Sequence, residues 1–212
     1  FKDGDKIKAE AKVFIVEGNT HSILAMERLV LNCIQRMSGI ASLTNRYKKI
    51  ISKTNCKLLD TRKTTPNFRY PEKWAVLIGG GYNHRMGLYD ALMIKDNHID
   101  FCGGINLVLD KTKKYLYGLK KNYDVIVGTR NLKEVEEVIN YSFVTRILLD
   151  NMDVTTMKKA LGLIGNKKPT EASGNINESN ILSVAKTGVN YISLGCITHS
   201  AKPIDISLKV SK

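Results

Sequence analysis

The feature that most constrains this chain is a series of six short apolar runs, each closing on a polar or glycine residue. They are Leu58-Leu59-Asp60-Thr61, Leu92-Met93-Ile94-Lys95, Val125-Ile126-Val127-Gly128, Ile147-Leu148-Leu149-Asp150, Thr170-Glu171-Ala172-Ser173 and Ile192-Ser193-Leu194-Gly195. Between them lie helix-length stretches such as 131–140, 154–163 and 180–187. Buried parallel strands read as near-continuous apolar runs, and their crossovers are helices. The alternation predicts an α/β fold. Polar residues gathered at the C-terminal ends of the strands are the habit of a (β/α) barrel, and a barrel is the expected architecture. A doubly wound sheet is the alternative; it would use fewer strand ends, at its switch point.

Upstream, residues 6–16 carry the mixed alternation of a short strand, and Glu17-Gly18-Asn19-Thr20 supplies turn and N-cap chemistry. A helix is predicted next: Ile23, Met26, Val30, Ile34 and Met37 recur at helical spacing, while Arg28, Asn32 and Gln35 share another face. Ser38-Gly39 is expected to break or bend it. The opening Phe1-Lys2-Asp3-Gly4-Asp5-Lys6 reads as a turn entering a strand, so more chain is expected upstream.

At 212 residues with 43% hydrophobic content, the chain can bury one substantial core. It has neither an apolar run of spanning length nor a signal-peptide pattern, so a soluble, cytoplasmic protein is expected, with no membrane partner. Cys33, Cys56, Cys102 and Cys196 are scattered and form no C-x-x-C pair, the pattern of reduced thiols. The net charge of +13 would attract polyanions. Lysine is nevertheless spread along the whole chain rather than concentrated in a tract or an aromatic-interleaved stripe, so nucleic acid is not the expected partner. The charge suits a small anionic substrate, provided several cations converge.

Several cations do stand at strand ends. Thr61-Arg62-Lys63-Thr64-Thr65-Pro66 follows the first run. Gly79-Gly80-Gly81-Tyr82-Asn83-His84-Arg85 brings an imidazole and a further guanidinium, with glycines that let backbone approach a ligand. Lys95 closes the second run, where a lysine is costly unless it meets an anion or a carboxylate such as Asp96. Arg62, Lys63, His84, Arg85 and Lys95 around one barrel mouth would match a substrate with two carboxylates. Asp150 closes the fourth run; it could cap the next helix, with Asn151 sharing that task, or it could serve Mg²⁺ or sugar hydroxyls. Glu171-Ala172-Ser173-Gly174-Asn175-Ile176 and Gly195-Cys196-Ile197-Thr198-His199-Ser200 look like phosphate loops at the last barrel strands.

These motifs, together with Met26-Glu27-Arg28 and Gln35 through Ala41, resemble those of the quinolinate phosphoribosyltransferase family in order and along essentially the whole chain. The resemblance implies an incomplete (β/α) barrel of the type II phosphoribosyltransferase kind over residues 44–203. It implies a remnant of an N-terminal α/β sandwich domain with its linking helix over 1–43, and a C-terminal strand over 204–212 that returns to that domain. About a quarter of a family chain would lie upstream. The implied reaction is transfer of phosphoribose from 5-phosphoribosyl 1-pyrophosphate to quinolinate, with Mg²⁺ as cofactor and loss of carbon dioxide and pyrophosphate. Arg62, His84, Arg85 and Lys95 would hold the quinolinate carboxylates, and Lys63 would stand between substrate and pyrophosphate. Lys63, Lys95 and Asp150 would be the catalytic set, with Asp150 on ribose and metal. Ser173, Gly174, Asn175, Gly195 and His199 would face the 5-phosphate. Arg28 would reach the partner's site in a homodimer.

The chain departs from the family at Val125-Ile126-Val127-Gly128, where the pattern is Val-Glu-Val-Glu. Losing one preorganised polar group in a catalytic site costs about 3 to 4 kcal/mol. Asp124 lies before the strand and Glu134 is expected on the next helix, so neither is expected to replace the missing carboxylate. An impaired relative acting as a structural or regulatory dimer partner is therefore the second reading. A transferase for a different nitrogen base is the third, and the complete cation set argues against it.

Overall fold

A computed structural model describes residues 1–119 and 122–210. All six apolar runs become strands: β1 (Lys57–Leu59), β2 (Ala91–Ile94), β3 (Asp124–Thr129), β4 (Arg146–Asp150), β5 (Thr170–Ser173) and β6 (Tyr191–Ser193). Every pairing is parallel, and the order β1-β6-β5-β4-β3-β2 runs around the sheet in sequence. A doubly wound sheet would reverse direction at a central strand; here the winding keeps one sense, as in a barrel. The barrel is open and partial, because β1 and β2 are not paired. A single bridge from Leu59 to Tyr82 begins to fill that seam.

Alternation along the strands sorts side chains to two faces. Leu58, Val125, Val127, Ile147, Leu149, Ala172 and Ile192 join the buried core between sheet and helices. The intervening residues, among them Ile126, Gly128, Arg146, Leu148, Asp150, Glu171, Ser173 and Ser193, face the barrel interior. The helices close the outside: α1 (Thr20–Ile50), α2 (Arg69–Ile78), α3 (Asp96–Cys102), α4 (Ile105–Tyr117), α5 (Leu132–Ile139), α6 (Val154–Ile164), α7 (Ile181–Ala185) and α8 (Cys196–His199). Asn19, Asn131 and Asp153 cap α1, α5 and α6 by accepting hydrogen bonds from first-turn amides. Among the described residues, no helix is long and apolar enough to cross a membrane.

Three expectations fail. α1 runs through Ser38-Gly39 unbroken for 31 residues. Gly39 serves packing instead, since a Cβ there would sit 2.1 Å from the Lys202 carbonyl oxygen. The strand expected over 6–16 is absent, because an extended segment becomes a strand only with a partner and it pairs with none among the described residues. The C-terminal strand expected over 204–212 is likewise absent through residue 210; its last two residues lie outside the described ones. That segment is instead held along α1, where the Ile204 amide donates to the Gln35 carbonyl at 3.1 Å and Gln35 Nε2 donates to the Ile206 carbonyl at 2.8 Å.

Candidate active site

The C-terminal ends of the strands bring the β1 and β6 loops together. Thr198 Oγ1 donates to the Lys63 carbonyl at 2.8 Å. A Cβ on Gly195 would lie 2.9 Å from Lys63 Cδ and 3.1 Å from His199 Nε2, so the glycine lets both side chains lie over bare backbone. Glu72, fully buried at the start of α2, fastens the same two loops. Its carboxylate accepts from the Thr65 amide and hydroxyl at 3.1 and 2.8 Å and from Arg36 Nε and Nη2 at 3.0 and 2.9 Å. Arg36 in turn donates to the carbonyls of Ala201, at 2.8 Å, and Thr198.

Across the mouth, the loop from Gly79 to Arg85 is pinned by Asp60. This buried carboxylate accepts from the His84 amide at 2.7 Å, from Asn83 Nδ2 at 2.6 Å and from the ammonium of Lys73, itself 1% exposed. Burial pushes the Asp60 carboxyl up and the Lys73 ammonium down, and their mutual attraction opposes both shifts. Arg69 ties this loop to the β1 loop by donating to Thr64 Oγ1 at 3.0 Å and to the Met86 carbonyl at 3.0 Å. Arg85 Nη1 donates to the Ala91 carbonyl at 3.1 Å.

Arg62 and Arg85 are close enough to repel. Burial, then the charge of Arg62, lowers the Arg85 guanidinium below its ordinary value, and Asp90 only partly compensates. Arg62 Nε is buried with no hydrogen-bond partner among the described residues. Among the described residues neither arginine, nor Lys63 or Lys95, has an ion pair. Convergent cations of this kind suit a ligand with carboxylate or phosphate groups. Lys95 follows β2 at the N-cap of α3, its amide donating to His98 Nδ1 at 3.1 Å.

Asp150 stands on the interior face, paired in register with Ser173. It is not the helix cap, a role that falls to Asp153, so its carboxylate is available at the mouth. Beside it the backbone is left-handed at Asn151 (φ 55°), Gly174 (φ 90°) and Asn175 (φ 51°). Gly174 is obligatory there, because a Cβ would lie 2.2 Å from Asn151 Oδ1, which accepts from Asn175 Nδ2 at 3.0 Å. Gly128 neighbours Leu148 on the interior face. A Cβ there meets Ile94 O at 3.5 Å, Leu148 Cδ2 at 3.7 Å and Lys95 Cα at 3.8 Å, all ordinary contacts. Glu134 is turned away on α5, its carboxylate held by the Arg130 amide at 2.7 Å and by the Arg130 guanidinium at 2.7 and 3.0 Å.

Arg62, Lys63, Arg85, Lys95, Asp150, Ser173, Gly174, Asn175, Gly195 and His199 thus belong to loops and strand ends at one end of the sheet. His84 is buried below them, its Nε2 3.3 Å from Glu171 Oε2. Arg28 lies apart on the exposed N-terminal half of α1, paired with Glu27 at 3.2 Å. Sequence reasoning missed the supports: Arg36, Glu72, Asp60, Lys73, Arg69, Arg146 and the inward role of Glu171. A carboxylate closing or interrupting an apolar run was the one signal for Asp60 and Glu171; their partners are distant in sequence and left none. The surface grooves by Tyr141 and Lys168 lie at the opposite, N-terminal ends of the strands.

Residues 40–209 match the family described as quinolinate phosphoribosyl transferase, C-terminal domain, and residues 1–38 match its N-terminal domain. A Nicotiana tabacum protein named quinolinate phosphoribosyltransferase [decarboxylating] 2b, mitochondrial, is 46% identical over 98% of this chain and 63% of its own length. An Arabidopsis thaliana nicotinate-nucleotide pyrophosphorylase [carboxylating], chloroplastic, is 47% identical over 99% of the chain and 64% of its own length. The chain therefore spans a little under two thirds of these relatives. The crystal structure of NadC from Streptococcus pyogenes superposes with a TM-score of 0.91 at 40% identity, covering 99% of this chain and 72% of the other. The nicotinate-nucleotide pyrophosphorylase of Francisella tularensis gives 0.89 at 44% identity, over 98% and 72%.

Proposed function

This chain belongs to the quinolinate phosphoribosyl transferase family, and we propose that it transfers phosphoribose from 5-phosphoribosyl 1-pyrophosphate to the ring nitrogen of quinolinate. The products are nicotinate mononucleotide, pyrophosphate and carbon dioxide. One observation carries the reading: Arg62 and Arg85 both stand at the mouth, Arg62 Nε is buried with no hydrogen-bond partner among the described residues, and no carboxylate of those residues forms an ion pair with either arginine. Such a pair is stabilised by a bound anion, and the two adjacent carboxylates of quinolinate fit it.

In this reading Arg62, Arg85 and Lys95 take the carboxylates, and His84 supports them from beneath. Lys63, lying over Gly195, faces the pyrophosphate, and the loops of Ser173-Gly174-Asn175 and Gly195 to His199 take the 5-phosphate. Asp150 stands by the ribose, where a carboxylate stabilises the positive charge that develops as the glycosyl bond breaks. Once the ring nitrogen is alkylated, the adjacent carboxylate leaves as carbon dioxide, its bonding electrons stay on the ring carbon beside the cationic nitrogen, and that carbon takes up a proton from solvent, so the cations need only orient the ring.

Asp150 is also the group that would hold Mg²⁺. Its carboxylate stands on the interior face and caps no helix, and one carboxylate plus substrate phosphates is how Mg²⁺ is often held, so the residue fits the ion. When bound, it would neutralise charge on the leaving pyrophosphate. We further propose a homodimer in which Arg28, exposed and away from its own mouth, enters the partner's site, and a cytoplasmic location, although the two plant relatives carry organellar names.

The test is release of carbon dioxide from carboxyl-labelled quinolinate with 5-phosphoribosyl 1-pyrophosphate, alongside calorimetry with quinolinate alone. Binding and turnover are expected. Binding without turnover would favour an impaired relative, for which Gly128 is the specific observation; no binding would overturn the proposal.

A further inference from the structure

Beneath the cation cluster sits a group that should not favour anion binding. Glu171 is fully buried, faces the barrel interior, and is a carboxylate. Burial works to raise its pKa; the side chains of His84, Ser193 and Arg146 outweigh that and hold the carboxyl below its ordinary range, and Arg146, donating from Nη1 at 2.9 Å, supplies the full positive charge beside it. It is therefore ionised at neutral pH, a fixed negative charge under a mouth built for anions. A charge that opposes the ligand at long range calls for a reason at short range.

His84 supplies it. The Arg85 amide donates to His84 Nδ1 at 2.7 Å, so Nδ1 carries no proton. A neutral ring then has its proton on Nε2, and Nε2 lies 3.3 Å from Glu171 Oε2, in contact but without the alignment of a full hydrogen bond. The same carboxylate oxygen accepts from Arg146 Nη1 at 2.9 Å, and the Arg146 guanidinium rests 4.2 Å from the centroid of the Tyr191 ring. Glu171 Oε1 is buried with no hydrogen-bond partner among the described residues. Asp60 meanwhile fixes the His84 amide. The ring of His84 thus faces one buried carboxylate at 3.3 Å while its backbone amide is held by another, and the next residue is Arg85.

We infer that Glu171 is a positioning residue for the mouth, acting through His84: it holds the ring as the Nε2–H tautomer, which keeps Nδ1 free to fasten the Arg85 amide and so places that guanidinium beside Arg62. The assignment rests on the functional reading above only in naming quinolinate as the anion; the tautomer claim concerns the protein alone.

The two roles open to Glu171 predict opposite signs. If it acts only through its charge, Glu171→Gln removes a negative charge from below the site, and quinolinate should bind more tightly. If it positions, the ring is released, Arg85 loses its anchor, and binding should weaken about tenfold, the scale of one charge-assisted hydrogen bond. The experiment is ¹⁵N NMR of the histidine rings in the wild type, then calorimetry of quinolinate with wild type and Glu171→Gln, with thermal unfolding as the folding control. The expected result is an unprotonated Nδ1 on His84 in the unliganded wild type, mixed tautomers in the variant and weakened binding. An Nδ1–H tautomer in the wild type, or unchanged or tighter binding by a folded variant, would overturn the assignment. Should the variant not fold, the wild-type tautomer still decides. A wild type that shows the Nε2–H ring yet binds no quinolinate would sink the functional reading and leave the role of Glu171 standing.

Discussion

Arg62 and Gly128 define what single side chains are expected to contribute at the mouth. The Arg62 guanidinium has a buried nitrogen without a partner and stands within repulsive reach of Arg85. Truncating it removes a bidentate donor from a dianionic ligand, so Arg62→Ala should weaken quinolinate binding by more than about tenfold in calorimetry. Relief of the Arg85 repulsion would only raise the stability of the empty protein. Gly128 is the reverse case, a missing group with room to restore it. Its interior-facing Cβ position meets nothing closer than 3.5 Å, and its backbone is ordinary strand. Gly128→Glu should fold and raise kcat at least about tenfold, by analogy with other preorganised polar groups, while the quinolinate Kd stays unchanged because those contacts lie on other loops. A wild type already as fast as the variant would show that the position is not a defect. Glu134, the nearest alternative on sequence grounds, is committed to Arg130 and to the first turn of α5.

At the scale of elements, α1 and the C-terminal segment behave as one unit. Gly39 places its Cα against the Lys202 carbonyl, and Arg36 reaches Ala201 from the previous turn. Gly39→Ala would force the segment away, because the obstructing atom is backbone rather than a flexible side-chain end. A loss of about 1 to 3 kcal/mol in denaturant unfolding is expected, with faster proteolysis after Ala201 than in the wild type. This glycine also shows where sequence stops being legible. Gly inside a helical pattern signals a stop, a bend or a close approach, and the last depends on a residue 163 positions later (202 minus 39). The strands were legible because period and composition are local. Arg62, Lys63, Lys95 and Asp150 stood out in the sequence because a polar residue ending or following an apolar run is a local signal too, and Arg85 because a glycine-rich loop delivers it. The carboxylate partners Glu72 with Arg36, and Asp60 with Lys73, were not, since burial of a charge is a property of the assembled fold. The two expected strands failed for the same reason: pairing needs a neighbour that sequence does not place.

For the molecule as a whole, charge and buried carboxylates together set the response to acid. With 33 basic and 20 acidic residues, the chain at neutral pH already repels itself, and protonating carboxylates removes the compensation. Glu171 adds a specific term. Its carboxyl is held below the ordinary range in the folded protein, whereas in the unfolded chain it titrates near about 4.3. The unfolded chain thus takes up this proton first on acidification. The stabilisation from Glu171 is complete above the unfolded value and is lost as pH falls through the folded one. Wild-type stability, followed by urea midpoint against pH, should therefore drop steeply below about pH 4.5, more steeply than surface repulsion alone would produce. Glu171→Gln, which cannot ionise, should be less stable than the wild type at neutral pH and show a shallower acid limb, so that the two curves converge at low pH. Parallel curves would mean that Glu171 titrates alike in both states and that Arg146 and His84 do not hold its charge. Because the barrel is open at the β1–β2 seam and the interior ion pairs lie near its middle strands, the convergence should appear in global unfolding and not only in fraying of the seam.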